Sequence, residues 1–529
     1  MQLVAYGSQD IYITGNPQIT FFKIVYRRHT NFAIETVEQQ FVGEPSFDKR
    51  FTINIPKTGD LITKMYVRVI LNQIDPRNNK FGWTRRLGHA LLKQVNIEIG
   101  GSVIDSQYGT WLDVWYELAR KGDHELGYLK MIGDVPEMTD YNSNIKPSYV
   151  LYIPLQFWFN KFIGLAIPLI ALQYHNVVLH VTFEKAEKLI INDCNFDKNS
   201  VTMQDASLLV NYVYLDADER RRFAQVGHEY LIEQIQFNGV ELLTNSLSKY
   251  VLDYNFPTKE LIWTIRNGNF SSGKTFVYYT NEDTWSMEEA SKLIIEKSIS
   301  IGINPESQVG GTWTEIGTDE IRTVGTFNVK NNNQTSIFVN PNSLRFDSYG
   351  ITDKITANII VELDGTIVIL NLITLLTIRD LSIPLEYAID SRYNPCDPRV
   401  NIFNNYGMLI DGTINPVEWG LIHFNGYSRF DQREGMYFNY VQPFQHHTNS
   451  PKDGINVYSF ALFPEEHQPS GTANLSRIET TTLTLTIKDL NNENLPDLHY
   501  LNLENELYIF GLSYNIFRIM SGISGIAYS

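Results

Sequence analysis

With 529 residues, 43 Lys and Arg against 59 Asp and Glu, and a formal charge of −16, the chain lacks the broad basic face that binding nucleic-acid phosphates requires. Its two cysteines, Cys194 and Cys396, are too few for a disulfide framework and fit a reducing compartment. Tyrosine and phenylalanine (30 and 29) bring the aromatic share to 13%, which suits pleated, half-buried surfaces, and the length suits two β domains of about 200 to 250 residues each.

The N-terminus lacks the basic, apolar and small-residue succession of a signal peptide, and no apolar run has the length of a membrane span. Residues 1–18 read as an arm feeding a first strand at Ile19–Tyr26. Phe51–Ile55 and Leu61–Leu71 alternate, with Met65, Val67, Val69 and Leu71 on one face. Val95–Ile99 ends in Gly100-Gly101, a hairpin signal.

Thr110–Lys121 breaks the alternation. Trp111, Val114, Trp115 and Leu118 fall at helical spacing, with Thr110 as the expected cap. A polar excursion over 122–150 follows, then strands at Tyr149–Phe159 and Val177–Phe183, and the first domain, 19–215, closes near Leu215. The run 216–226 reads as a solvated linker helix, pairing Asp216 with Arg220 and Asp218 with Arg222.

The second domain, 227–529, opens with GHEYLIEQIQFNG and YNFPTKELIWTI and carries an insertion around 268–345. One helix is expected there, Ser286–Lys297, with Ser286 and Glu289 as a capping box. Strands follow through Ile355–Ile378, Leu421–Phe424, Val457–Phe463, Thr482–Ile487 and Leu507–Ile519. Aspartate at Phe460 or Phe463 should therefore abolish folding or assembly.

Three short patterns recur in the same order in both halves: Ile97–Gly101 with Ile422–Gly426, Leu155–Phe159 with Phe460–Phe463, and Leu179–Phe183 with Leu483–Ile487. This supports two copies of one sandwich.

Chemical signals are sparse. Gly268–Thr275 fits the P-loop spacing G-x-x-x-x-G-K-S/T, in which Lys274 would reach phosphates and Thr275 would hold magnesium, and strand Glu260–Ile265 precedes it. The motif needs a helix to begin at its Gly-Lys-Thr, whereas the strand-like Phe276–Thr280 follows, so a surface hairpin explains the match better. A cupin-type metal site needs two histidines on one strand face. His446 and His447 are adjacent, and His175 and His180 are five apart, so in a strand each pair faces opposite ways. Glu465-Glu466-His467 is explained by solvation of a polar loop.

Spacing selects no pair of carboxylates for glycosidase chemistry, and no G-x-S-x-G occurs. No catalytic, cofactor-binding or metal-ligating residue is therefore assigned. Three sequons mark Asn269, Asn333 and Asn474 as the glycosylation candidates.

The opening QLVAYGSQDIYITGNPQITFFKIVYRRHTNFAIE resembles the start of the major capsid proteins of large eukaryotic DNA viruses, especially those infecting algae and amoebae. IPLQFWFNKFIGLAIPLIALQYHNVVLHV, DADERRRFAQVGHEYLIEQIQ, YNFPTKELIWTI, FNGYSRFDQREGMYFNYVQPFQHHTN and INVYSFALFPEEHQPSGTANLSRIE are similar to that family's signature segments. The chain departs from some relatives by lacking a short Gly-rich lead, and 268–345 matches little of the pattern.

The resemblance implies an all-β double jelly roll, two eight-stranded antiparallel sandwiches with short helices in linker and loops. It implies homotrimers of pseudo-hexagonal outline that tile an icosahedral shell in the virion, assembled in the host cytoplasm. Loops at one end of each sandwich would face outward. The arm would lie inside, near minor capsid and penton proteins and an internal membrane, with no direct contact to nucleic acid and no cofactor. The readings outside this family are a tandem β-sandwich that binds glycans, suggested by the aromatic-rich loops, and the P-loop reading above.

Overall fold

The computed structural model describes most of residues 8–266, 415–487 and 505–528, together with strand backbone between 309 and 371. Eight strands build a first sandwich: β1 (Phe32–Gln40), β2 (Arg50–Ile55), β3 (Leu61–Leu71), β4 (Leu92–Ile99), β5 (Ser102–Tyr108), β6 (Tyr149–Pro154), β7 (Val177–Phe183) and β8 (Met203–Leu215). Eight more build a second: β9 (His228–Gln236), β10 (Leu247–Leu252), β11 (Pro257–Arg266), β12 (Val417–Phe424), β13 (Tyr427–Ser428), β14 (Ile455–Ser459), β15 (Thr481–Ile487) and β16 (Asn505–Met520).

The strand orders match. The first sandwich pairs β1-β8-β3-β6 in one sheet and β2-β7-β4-β5 in the other, and the second pairs β9-β16-β11-β14 and β10-β15-β12-β13. Each strand of the second half takes the place of the strand eight positions earlier, which is the double jelly roll. The recurring sequence patterns fall on equivalent places: the β4–β5 and β12–β13 hairpins, the segments leaving β6 and β14, and strands β7 and β15. Both hairpins turn through two residues of positive φ, Gly100 and Gly101 in one and Asn425 and Gly426 in the other. Two left-handed residues match the twist of the flanking strands.

Alternation builds the cores. In β3 the side chains of Met65, Val67, Val69 and Leu71 are buried while Lys64 is exposed and Tyr66, Arg68 and Ile70 are partly so. One buried cluster runs from the first sandwich into Ile232, Ile262, Phe510, Leu512 and Phe517 of the second, so the halves share apolar packing. A separate cluster, with Trp263, Phe438, Leu483 and Ile509, fills the second sandwich.

Topology fixes which connections share an end. In the first sheet β1 and β3 run one way and β6 and β8 the other. The N-terminal arm, the β2–β3 and β6–β7 connections and the linker therefore meet at one end, here the base. The β4–β5 turn joins them, since Gly100 N–H donates to Asn176 O at 3.1 Å. The long β3–β4 and β5–β6 connections leave from the opposite end, the top.

Helix α1 (Gly109–Ala119) lies in the β5–β6 connection with Trp111, Val114 and Leu118 buried, as the spacing required. Its cap is Tyr108 without a side-chain bond, so Thr110 lies one residue inside the first turn and caps nothing. Helix α2 (Ala217–Gln225) is the linker, capped by Asp216, whose carboxylate accepts from Glu219 N–H. Its ion pairs differ from the expected ones. Arg220 leaves Asp216 for the buried Asp60 at 3.1 Å, and Asp218 faces Arg221 at 3.7 Å, because a base loop offers a better-buried partner than helix neighbours do.

Three other expectations change. Ile19–Tyr26 forms no strand in its described residues, and its apolar side chains have nothing to pack on: Phe21 is 91% and Phe22 98% exposed. The first strand is β1 instead. Tyr149–Phe159 is strand only to Pro154, where the chain turns into a short helix at Trp158–Lys161. Val457–Phe463 is strand only to Ser459, and Phe463 lies in the following loop. β11 and β12, consecutive strands of the second sandwich, are separated in the chain by residues 267–416, a span that includes the expected insertion at 268–345. The expected helix Ser286–Lys297 lies outside the described residues.

Candidate functional site

The seam between the sandwiches is where unusual chemistry collects. Trp111 and Trp115 of α1 stack on each other, and Trp111 meets Phe510 of β16 edge-on at 5.4 Å. Beside them lies a buried ionic chain. Lys161 reaches Glu233 at 3.4 Å, Lys259 reaches the other oxygen of Glu233 at 2.6 Å, and the Lys161 ammonium sits 3.7 Å from the Trp115 ring centroid. Two ammoniums outweigh the cost of burial and hold the Glu233 carboxyl below its usual range.

His447 closes the chain. Its Nε2 donates to Glu260 at 2.9 Å, its Nδ1 to Glu465 at 2.9 Å, and its ring meets Trp115 edge-on. Burial opposes charge on this imidazole, but the Glu260 carboxylate and the bonds to both glutamates prevail and raise its pKa from 6.5 to about 9. Asp105 of β5 accepts from Ile235 N–H at 3.0 Å, and burial pushes its carboxyl up to about 7 against the backbone hydrogen bonds it receives.

A second buried cluster anchors α1 within the first sandwich. Arg86 bonds Asp113 at 2.7 Å and also Glu117, while His89 joins Asp113 to Tyr128. These are structural clamps: every charge has a partner of opposite sign on another segment.

The residues that the sequence offered for chemistry do not form a site. His446 bonds Leu462 O, His180 bonds Glu98 and Thr52 within its sheet, and His175 lies at the base against Ser524. Glu465 is not simply solvated, as the loop reading held, because His447 and Thr448 both donate to it. No His, Cys, Asp and Glu grouping suited to a metal occurs among the described residues. Gly268–Thr275, with Lys274 and Thr275, lies outside them, as do Asn269 and Asn333. Asn474 is exposed in the β14–β15 connection, where its side chain accepts from Ser476 N–H. The seam was missed because its members, Asp105, Lys161, Glu233, Lys259, Glu260 and His447, are scattered over the sequence. The one readable signal was charge inside otherwise apolar strands, as in PTKELIWTI.

Two family models meet at the linker: one described as major capsid protein N-terminus matches residues 20–216, and one described as large eukaryotic DNA virus major capsid protein matches 219–525. The chain belongs to the major capsid proteins of the large eukaryotic DNA viruses. This capsid chain is 40% identical to capsid protein 1 of Acanthamoeba polyphaga mimivirus, covering 100% of this chain and 99% of that one. It is 33% identical to the major capsid protein of Paramecium bursaria Chlorella virus 1, covering 100% and 98%. Among solved structures, the PBCV-1 VP54 crystal structure fitted into a reconstruction of the virophage Sputnik aligns with a TM-score of 0.64 at 29% identity, over 96% of this chain and 100% of that one. The Faustovirus major capsid protein aligns at 0.61 with 12% identity, over 97% and 94%, which speaks to the fold alone. The capsid chain is thus a major capsid protein with the double jelly-roll fold.

Proposed function

We propose that three copies of the capsid chain associate into a capsomer of pseudo-hexagonal outline, and that such capsomers tile an icosahedral shell without catalysing a reaction. The strand-for-strand duplication carries this reading. Two like sandwiches in each chain give a trimer six like units, so its outline has six similar edges and each capsomer can meet six neighbours along like faces. Self-assembly is therefore the work of the surfaces rather than of a site.

We divide the chain into an arm at 1–18, a first jelly roll at 19–215, a linker helix at 216–226 and a second jelly roll at 227–529, with its insertion around 268–345. The top, with the long connections, faces outward, and the base faces minor capsid and penton proteins and the inner membrane. The exposed Ile11 and Ile13 of the arm, with Ile19, Phe21, Phe22 and Ile24 in the strand-free stretch that follows it, support that assignment, because they precede β1 at the base end. Assembly in the host cytoplasm accords with a two-cysteine chain. Asn269, Asn333 and Asn474 are the glycan acceptors to examine by mass spectrometry of the virion protein.

Light scattering of the purified protein should give a species near three times the chain mass, with six-lobed, three-fold particles by electron microscopy. A strict monomer under all assembly conditions would sink the reading. So would ATP hydrolysis that disappears in Lys274→Ala, which would restore the P-loop alternative.

A further inference from the structure

The contact inside the chain is a template for a contact between chains. The first sandwich lays the segment leaving β6 on the edge of the second: Trp158 packs 6.1 Å from Phe517 of β16, and Lys161 reaches Glu233 of β9. The equivalent segment of the second sandwich leaves β14, at Phe460–Phe463, and the equivalent edge of the first is β1 on β8. These edges match in register as well as in order. Ile34 pairs with Val213 and Thr36 with Asn211 in the first, where Tyr230 pairs with Phe517 and Ile232 with Asn515 in the second.

Occupancy differs. Trp158 and Phe517 are buried, whereas Leu462 and Phe463 are 62% and 54% exposed, and Phe32 and Ile34 of β1 are 48% and 51% exposed. The chain therefore carries both halves of this contact a second time, with one difference at the acceptor: Val213, the counterpart of Phe517, is covered by the chain's own Leu61, Ala166 and Phe223, so among the described residues the open part of that edge is Phe32 and Ile34. The 462–463 segment is already ordered for it, since Leu462 and Phe463 N–H donate to Ser470 O and Oγ and Phe460 N–H to Lys259 O. Little ordering remains to oppose binding. β1 is an edge strand, paired on one side only, as β9 is in its sheet.

We propose that Leu462 and Phe463 of one copy seat on Phe32 and Ile34 at the start of β1 in the next. The two patches differ, so the contact is heterologous, and such contacts either close into a ring or run on as a filament. Alternation of this contact with its internal counterpart places six sandwiches in sequence, and closure after three chains completes the circle. The inference rests on the trimer reading and deepens it to named residues.

The test uses the full chain with Cys194→Ser and Cys396→Ser, to which Ile34→Cys and Phe463→Cys are added singly and together. With a short bis-maleimide, the double variant should give dimers and trimers on a denaturing gel joined by a 34–463 peptide in mass spectrometry, and each single variant none. Independently, Leu462→Asp with Phe463→Asp should keep its circular dichroism yet raise the concentration at which trimers dissociate by about tenfold or more, the loss typical of a buried anchor. Trimers by light scattering with no 34–463 link and with wild-type assembly of the aspartate variant would overturn this contact while leaving the trimer standing. A 34–463 link formed within single chains would also overturn it. A monomeric wild type would instead remove the trimer reading, and this contact with it.

Discussion

His447 and Asp105 make the seam sensitive to pH, and the sign follows from how each titrates. The folded pKa of His447, about 9, lies above its unfolded value of 6.5, so its contribution is fully present below pH 6.5 and is lost as pH rises through 9. By linkage that contribution is about 3 kcal/mol at most. His447→Gln should flatten the fall in denaturant midpoint between pH 6 and pH 9.5, and an unchanged slope would show that another group titrates. Asp105 carries a raised pKa of its own, so its ionisation costs stability as pH climbs from the ordinary carboxylate range toward 7. Asp105→Asn keeps an acceptor for Ile235 N–H and should be more stable than wild type at pH 8, with the gap closing toward pH 4 in the same unfolding measurement. Glu233→Gln should behave oppositely, costing about 3–5 kcal/mol, because Lys161 and Lys259 are left buried with one neutral partner. His447 drew notice only as one of two adjacent histidines and Lys259 only as a charge inside an apolar strand, while Asp105 and Glu233 drew none, since an ion pair between distant strands leaves no local pattern to read.

At the scale of elements, local chemistry was legible wherever a segment is satisfied by its own neighbours. Val177–Phe183 forms β7 over the expected span, with alternate residues buried, and α1 lies where Trp111, Val114, Trp115 and Leu118 set its apolar stripe. The failures share a cause. Ile19–Tyr26 and Phe463 look like core because they are apolar, but none of the described residues buries the described side chains among them, and apolar character does not say whether the partner lies in the same molecule. Phe460 and Phe463, alike in sequence, consequently part company. Phe460 packs on Tyr458 and Phe424, so Phe460→Asp should lower the unfolding midpoint, whereas Phe463→Asp should spare the fold. The two hairpin turns differ in a similar way. A Cβ at Gly100 would come within 2.1 Å of His175, while one at Gly426 meets open space. Both glycines have positive φ, so Gly426→Ala should cost about 1 kcal/mol of turn strain. Gly100→Ala should cost more, since His175 must also leave Ser524, and thermal unfolding of the pair would measure the difference.

For the whole molecule, the three recurring patterns located equivalent places in two sandwiches, yet register, seam and the empty half-contacts needed the fold. The arm poses the remaining question of scale, because so much exposed apolar surface on an acidic chain invites self-association unless something receives it. The described apolar side chains of the arm and of the strand-free stretch after it, including Ile11, Ile13, Ile19, Phe21, Phe22, Ile24 and Tyr26, are largely exposed, so removal of both should leave the fold untouched. Deleting residues 1–26 should therefore keep the unfolding midpoint within about 0.5 kcal/mol of wild type, as for surface changes generally. It should also leave the trimer intact, because the proposed contact begins at Phe32. What should change is behaviour at the base: the full chain should co-float with lipid vesicles or aggregate with concentration, and the truncated chain should do neither. A truncated protein that loses its trimer would show instead that the arm is the occupant of a neighbour's edge, and that Leu462 and Phe463 point elsewhere.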